Sequence, residues 1–318
     1  MINLRYHIVS LVAVFLALAL GMVVGSTVLN EGTAKTQRAL GELLRRTSQQ
    51  TQAENNALHG QVKNYEDFGK AVLPVLAHNK LKGRSVVLVD TDRVDDGTRA
   101  KVIEALQAAG AVVDGRITFA SDRVSLAAED DRTRLGQVLG LLPTGTPDVL
   151  RAAMTERLAT RLALPAKLPR DGQGRAEDMI TSLSDAKFFA DTDLPRPVRD
   201  GGEVFPKAGS LFVIIGPTDN STTLAPQSFL VPLADRLSAR SPAPVAAVES
   251  GTGVSSWVQV LRGDREVTRR VSSVDDVDAV YGQVALVDAL AGQLASQPPG
   301  QYGFKQRATG LLPEGSPS

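Results

Sequence analysis

The chain has 318 residues, enough for about two domains, and its 43% hydrophobic content suits a globular body with a buried core. Its 35 Lys and Arg residues balance its 35 Asp and Glu residues, so the net charge is zero and no electrostatic attraction to nucleic acid is expected. The absence of cysteine excludes disulfides, zinc–thiolate sites and cysteine nucleophiles.

The most apolar stretch follows a short N-terminal arm of residues 1–7. It runs from Ile8 to Leu29 without a charged residue. As a helix, an apolar run of about 20 residues spans a hydrocarbon core about 30 Å thick. We therefore predict a single transmembrane helix over residues 8–29, embedded in the lipid bilayer of the cell membrane. The alternative is a cleaved signal peptide, whose apolar region is usually shorter, about 7–15 residues.

Gly21 and Gly25 form a G-x-x-x-G motif near the end of this helix. Small residues at this spacing allow two membrane helices to approach closely, which makes both glycines candidate helix-packing residues. The alternative is that they reflect the general frequency of glycine in membrane helices. Positive charges on the two sides of the helix are nearly balanced, so charge does not set its orientation. We expect the bulk of the chain to be extracytoplasmic.

Residues 31–70 are polar and free of proline, and their apolar residues recur at helical spacings. We predict a helical, coiled-coil-like stalk over residues 30–73 that pairs with another copy of the chain, as a homodimer or a higher oligomer. The section from Arg45 to Asn56 offers little apolar surface, so the alternative is a solvated monomeric helix. The apolar positions of the stalk are Leu40, Leu43, Leu44, Leu58, Val62 and Tyr65.

Strands alternate with helices from residue 84 to residue 296. Ser85–Thr91 is predicted as a buried strand. A helix capped by Asp95 or Asp96 follows to about Ala109, where Gly110 ends it, and residues 111–119 form the next strand. This pattern predicts an α/β fold: an open, mostly parallel, Rossmann-like extracytoplasmic body at 84–296. Further predicted elements are helices at 129–163 (two pieces), 176–189, 227–240, 255–261 and 279–295, strands at 211–215, 245–248 and 271–275, and a flexible tail at 297–318. Asp276 or Asp278 is the predicted cap of the last helix.

Open α/β sheets bind ligands beyond the carboxyl ends of their strands. Asp90, Asp92, Asp95 and Asp96 lie at or just after the carboxyl end of the first strand and could hold a hard cation, as metal candidates. The alternative is a solvated turn with a helix cap. A second polar strand end is Thr218–Ser221. The histidines His59 and His78 are further metal candidates.

No catalytic or cofactor-binding residue is assigned. The first strand is not followed by a G-x-G-x-x-G dinucleotide motif, and no Walker loop is present. The chain has three histidines, and none follows His78, so the body lacks the base of a Ser-His-Asp triad. We predict that the protein is not an enzyme and needs no cofactor.

Several stretches carry a family likeness: residues 2–21 at the N-terminus, then Val271–Asp278, Tyr281–Val287 and Gly300–Gly303. Together they resemble the mycobacterial copper transport protein family MctB, which includes the SteB-like envelope proteins. The resemblance implies a membrane protein of copper transport or homeostasis, with copper as a ligand and a proposed pore in the outer envelope. The SteB branch implies a SteA-like membrane partner and a role in cell-wall separation during cell division.

The residues themselves favour a different function. Copper(I) prefers thiolate and thioether ligands and copper(II) prefers imidazole, whereas this chain has no cysteine and four scattered methionines. The alternative hypothesis is therefore a non-catalytic single-pass envelope scaffold, whose stalk dimerises and whose α/β body binds a partner. A third hypothesis is a small-ligand or cation sensor that uses the loop from Asp90 to Asp96.

Overall fold

The computed structural model describes residues 4–141, 145–169, 178–194, 204–217, 224–251 and 256–313, with the backbone alone at 4–6 and 26–39. The chain forms two compact units, residues 1–65 and 66–318. The helices are α1 Leu4–Ala77, α2 Asp96–Ala108, α3 Ser121–Ser125, α4 Glu129–Leu139, α5 Pro147–Ala163, α6 Met179–Asp185, α7 Leu230–Arg240, α8 Trp257–Leu261, α9 Arg265–Thr268 and α10 Val280–Leu294. The strands are β1 Ser85–Thr91, β2 Val112–Phe119, β3 Phe189–Asp193, β4 Leu211–Ile215, β5 Val245–Val248, β6 Val271–Val274 and β7 Gln301–Tyr302.

Helix α1 contains both the predicted membrane span and the predicted stalk. Its candidate membrane span is His7–Gly25, with a mean hydropathy of 2.7. The helix continues past Pro74, the first residue beyond the predicted stalk, and ends at Ala77. Leu73 and Ala77 are buried, and this burial offsets the backbone hydrogen bond that Pro74 cannot donate. The helical part of the stalk prediction is confirmed, while its pairing stays a prediction.

The sheet has the strand order β3-β2-β1-β4-β5-β6-β7. All described neighbours are parallel except β2 and β3, which are antiparallel. The mostly parallel α/β sheet is therefore confirmed. The chain leaves β1 toward β2 on one side and later returns to β4 on the other, so the direction of winding changes between β1 and β4.

Two apolar layers cover the two faces of the sheet. Val87 and Val89 of β1 face one layer, which includes α5 and α7, while Val86 and Leu88 face the other, which includes α2 and α10. Because parallel strands are buried on both faces, they are apolar without alternation. This explains why the unbroken apolar runs of β1, β4 and β5 were recognisable in the sequence.

Two elements differ from the sequence prediction. The predicted helix at 176–189 ends at Asp185, and Phe189–Asp193 forms the antiparallel edge strand β3. The body also extends beyond 296, into the predicted tail, because Gln301–Tyr302 forms β7 beside β6. Backbone contacts with the sheet explain this second correction, since Ser273 donates its N–H to Gly300 O at 3.0 Å and Asp275 donates to Tyr302 O at 3.1 Å.

Helix caps agree with the prediction at one site and differ at another. Asp95 caps α2 as predicted, and Gly110 has a φ of +79°, the left-handed conformation of a residue that ends a helix. Helix α10 has no side-chain cap, although the sequence suggested Asp276 or Asp278. Asp278 instead accepts the N–H of Gly251 at 2.7 Å, which ties the start of α10 to the end of β5.

Candidate functional site

The carboxyl ends of the parallel strands carry two groups of charged residues. The first group follows β1 and contains the predicted carboxylates. The second follows β5 and β6 and was not predicted. The other predicted polar strand end, Thr218–Ser221, lies outside the described residues.

Asp90 is fully buried at the end of β1, opposite Thr118 of β2. Arg99 of α2 donates Nε–H to Asp90 Oδ2 at 2.5 Å and also pairs with the exposed carboxylate of Asp96. Burial raises the pKa of Asp90, while the neighbouring Thr118 hydroxyl and the hydrogen bond and charge of Arg99 act against that rise. The guanidinium of Arg99 therefore joins the strand to the first turn of the helix that follows it.

Asp92 and Asp95 bind protein N–H groups. Asp92 Oδ1 accepts the backbone N–H of Ser121 at 3.1 Å. Asp95 accepts the backbone N–H of Thr98 at 2.8 Å and its hydroxyl at 2.6 Å. Burial acts to raise the pKa of Asp95, but the hydrogen bonds from Thr98 outweigh it and lower the pKa. The helix-cap interpretation is thus confirmed for Asp95, whereas a metal role for the four carboxylates stays a prediction.

The histidine candidates lie apart from these carboxylates in the chain. His59 is exposed on α1, and His78 is exposed just after it, with Nε2 at 2.7 Å from the side-chain nitrogen of Asn79. Within the ranges that the structure describes, no group of three or more His, Asp or Glu residues is arranged to hold a metal ion. Gly21 and Gly25 have open surroundings, since a Cβ built at either would meet no atom within 4 Å. Their helix-packing role stays a prediction.

The second group is built around a fully buried ion pair. Arg262, just after α8, donates to Asp275 Oδ2 at 2.8 Å, and both side chains have zero exposure. Arg262 also donates to Ser273 Oγ and to Tyr302 O, each at 2.7 Å. Asp275 accepts backbone N–H groups beyond β7, from Phe304 at 2.8 Å and Lys305 at 3.2 Å. The ion pair therefore attaches the C-terminal segment to the carboxyl end of β6.

Lys305 extends this network to β5. Its ammonium donates to Glu249 Oε1 at 2.9 Å and to Ser250 O at 3.0 Å. Glu249 also accepts the N–H of Val258 at 3.2 Å, and burial raises its pKa despite these partners. A buried charge is tolerated only when it is paired and hydrogen-bonded, and this network satisfies that condition.

Asp276 follows Asp275 and has a φ of +62°, in the left-handed region that Asp tolerates better than most residues. Burial, followed by the hydrogen bond and the charge of Asp275, raises the pKa of Asp276 to about 7. Burial acts to raise the pKa of Asp275 as well, but hydrogen bonds from Asp276, Phe304 and Arg262 lower it. Below pH about 7 the proton of this pair is therefore held by Asp276 rather than by Asp275.

The sequence contains a signal for this second group. Glu249 directly follows β5, Asp275 directly follows β6, and Asp90 lies at the end of β1. The rule that ligands bind beyond the carboxyl ends of the strands therefore applies to all three. Arg262 and Lys305 give no comparable signal, because their partners lie 13 and 56 residues away in the chain. Trp257 is a core residue, with its indole N–H donating to Val248 O at 3.0 Å.

Comparison with known proteins identifies the family. Residues 1–313 match the profile of the family described as "Copper transport outer membrane protein, MctB". The chain belongs to the MctB family. Its match to the family extends from the apolar helix through the sheet to the segment that carries Lys305.

Curated members of the MctB family resemble this chain along nearly their whole length. Proteins named "Copper transporter MctB" from Mycobacterium bovis and Mycobacterium tuberculosis are each 28% identical over 326 residues, covering 95% of this chain and 96% of the relative. The Mycobacterium leprae protein of the same name is 28% identical over 330 residues, covering 98% and 99%. These relatives are named as transporters and not as enzymes. The MctB match and the apolar helix together indicate a membrane-anchored protein.

Proposed function

We propose that this protein acts in copper transport or homeostasis at the cell envelope. The observation that carries the proposal is the match of residues 1–313 to the MctB family, which includes both the apolar helix and the α/β body. A deletion strain tests it. Copper tolerance should change when the gene is removed and return with the full chain, whereas unchanged tolerance would refute the proposal.

The body has features of a ligand-binding α/β domain. Its strand order β3-β2-β1-β4-β5-β6 supports this proposal, although β3 is antiparallel, because doubly wound sheets bind ligands where the winding changes direction. Asp90 lies at that position, at the end of β1. Calorimetric titration of the full chain with copper(I) and copper(II) tests a copper site here. A binding heat that disappears in Asp90→Asn and Asp92→Asn would support a copper site at this position. A binding heat that persists in both variants would contradict it.

The same fold supports an envelope scaffold as the second candidate function. The observation in its favour is the exposed apolar surface of α1, where Leu58, Val62 and Tyr65 are all more than half exposed. On this proposal the stalk pairs two copies, and the extracytoplasmic body binds a SteA-like membrane protein. Crosslinking in membranes should recover both contacts, and a chain that stays monomeric without such a partner would contradict the scaffold.

A further inference from the structure

Helix α1 carries a stripe of exposed apolar side chains with a seven-residue period. Leu44, Leu58 and Tyr65 differ by multiples of seven residues, and Val62 lies between the last two. Their exposed fractions are 61%, 57%, 76% and 54%. Heptad spacing places Leu44, Thr51, Leu58 and Tyr65 at d positions and Ser48, Asn55 and Val62 at a positions.

The residues at the a, d, e and g positions of this pattern indicate which kind of partner fits the stripe. A single Asn at an a position, here Asn55, fixes register and favours two strands, at a cost in stability. Val at an a position with Leu at a d position also favours two strands, and Val62 and Leu58 form this combination. Glu54 falls at g and His59 at the following e, five residues later. In a parallel, in-register pair these positions face each other, so the carboxylate of one copy meets the imidazole of the other.

The membrane anchor sets the direction of the pair. Two copies inserted in one bilayer in the same orientation leave it in the same direction, because each stalk continues its own membrane span within α1. An antiparallel pair would need opposite insertion, and it would place each g position opposite another g position. The second copy therefore fits this face in a parallel arrangement.

The exposed stripe ends before Gly69. Gly69 is the next a position after Val62, and it is buried against α10, where a built Cβ would lie 2.3 Å from Val280 Cγ2. Leu73 and Ala77, which follow on the same face, are also buried. At Gly69 the a position is thus occupied by Val280 of the chain's own α10.

We propose that residues 44–65 of two copies pair as a parallel, in-register, two-stranded coiled coil, with the Asn55 side chains facing each other and the pairing ending before Gly69. This inference rests on the stalk pairing put forward under the scaffold function. It adds the direction, the register, the strand number and the point where pairing ends.

The lack of cysteine in the chain makes disulfide trapping a direct test. Leu58→Cys at d and Val62→Cys at a are oxidised separately in membranes, with Gly60→Cys at the outward f position as the matched control. We expect disulfide-linked dimers at 58 and 62 and monomers at 60. If native mass spectrometry gives a dimeric mass but no disulfides form at 58 and 62, the parallel register is contradicted and the stalk pairing stands. A monomeric mass at every concentration would contradict the stalk pairing as well.

Asn55 supplies a second, independent test of the strand number. Asn55→Val should raise the thermal stability of the assembly and yield more than one oligomer size, because the polar layer that selects two strands is lost. Asn56→Val, one position along and outside the stripe, should leave both unchanged. Equal behaviour of the two variants would overturn the proposed register.

Discussion

At the scale of single residues, the Arg262–Asp275 pair connects three parts of the body that are distant in the chain. Arg262 follows α8 and contacts Tyr302 of β7, while Asp275 follows β6 and contacts Phe304 just beyond β7. Sequence reasoning placed that segment in a tail because its prolines and glycines are typical of loops. A long-range ion pair leaves no local pattern in the sequence, so this part of the site was not predictable.

Arg262→Met should lower the free energy of unfolding by about 3–5 kcal/mol, because it leaves the buried carboxylate of Asp275 without its counter-charge. Arg269→Met is the matched control. It removes an exposed pair with Glu266 and should change the free energy by at most about 1 kcal/mol. Chemical denaturation of the full chain in detergent measures both variants, and equal losses would contradict the importance of the buried pair.

Asp276 predicts a pH dependence of stability. Its folded-state pKa of about 7 lies above its ordinary value of 3.8, so the folded chain binds the proton more tightly than the unfolded chain. The stabilisation is fully present below pH 3.8 and is lost as pH rises through about 7. Asp276→Asn should reduce this decline without abolishing it, because Glu249 and Asp90 also have raised pKa values. Denaturation at several pH values measures the free energy of unfolding of both chains. An equal dependence of this free energy on pH in the two chains would contradict the prediction.

At the scale of elements, predictability follows burial. Strands β1 and β5 were predicted to the residue, because a buried parallel strand is a short apolar run between polar residues. Strand β3 was missed because it is a short edge strand with the polar sequence Phe-Ala-Asp-Thr-Asp, in which the residues after Phe189 are largely exposed. Strand β7 has two residues, too few for a periodic pattern.

The contact between α1 and α10 gives a prediction at this scale. Gly69→Leu should destabilise the body by about 1–3 kcal/mol, because Val280 already occupies the space that the new side chain needs. Gly60→Leu, on the same helix with no atom within 4 Å, should be neutral or stabilising through its better helix propensity. Thermal unfolding of the two variants compares them directly. A stable Gly69→Leu chain would contradict the packing of α1 on α10.

At the scale of the whole molecule, the C-terminal segment is part of the folded body. A chain that ends at residue 296 loses β7 and the hydrogen bonds of Phe304 and Lys305 to Asp275. We expect it to fold poorly and to be degraded rapidly by protease, whereas a chain that ends at Pro313 keeps all of these contacts. Equal protease resistance of the two truncated chains would contradict this account.

Cell-associated copper, measured by mass spectrometry, tests the central claim most directly. The comparison uses a deletion strain, the same strain with the full chain, and the same strain with residues 30–318 secreted behind a cleavable signal peptide. A membrane-anchored copper transport protein of the MctB family predicts that deletion alters copper content and that only the anchored chain restores it. The same copper content in all strains would contradict the claim.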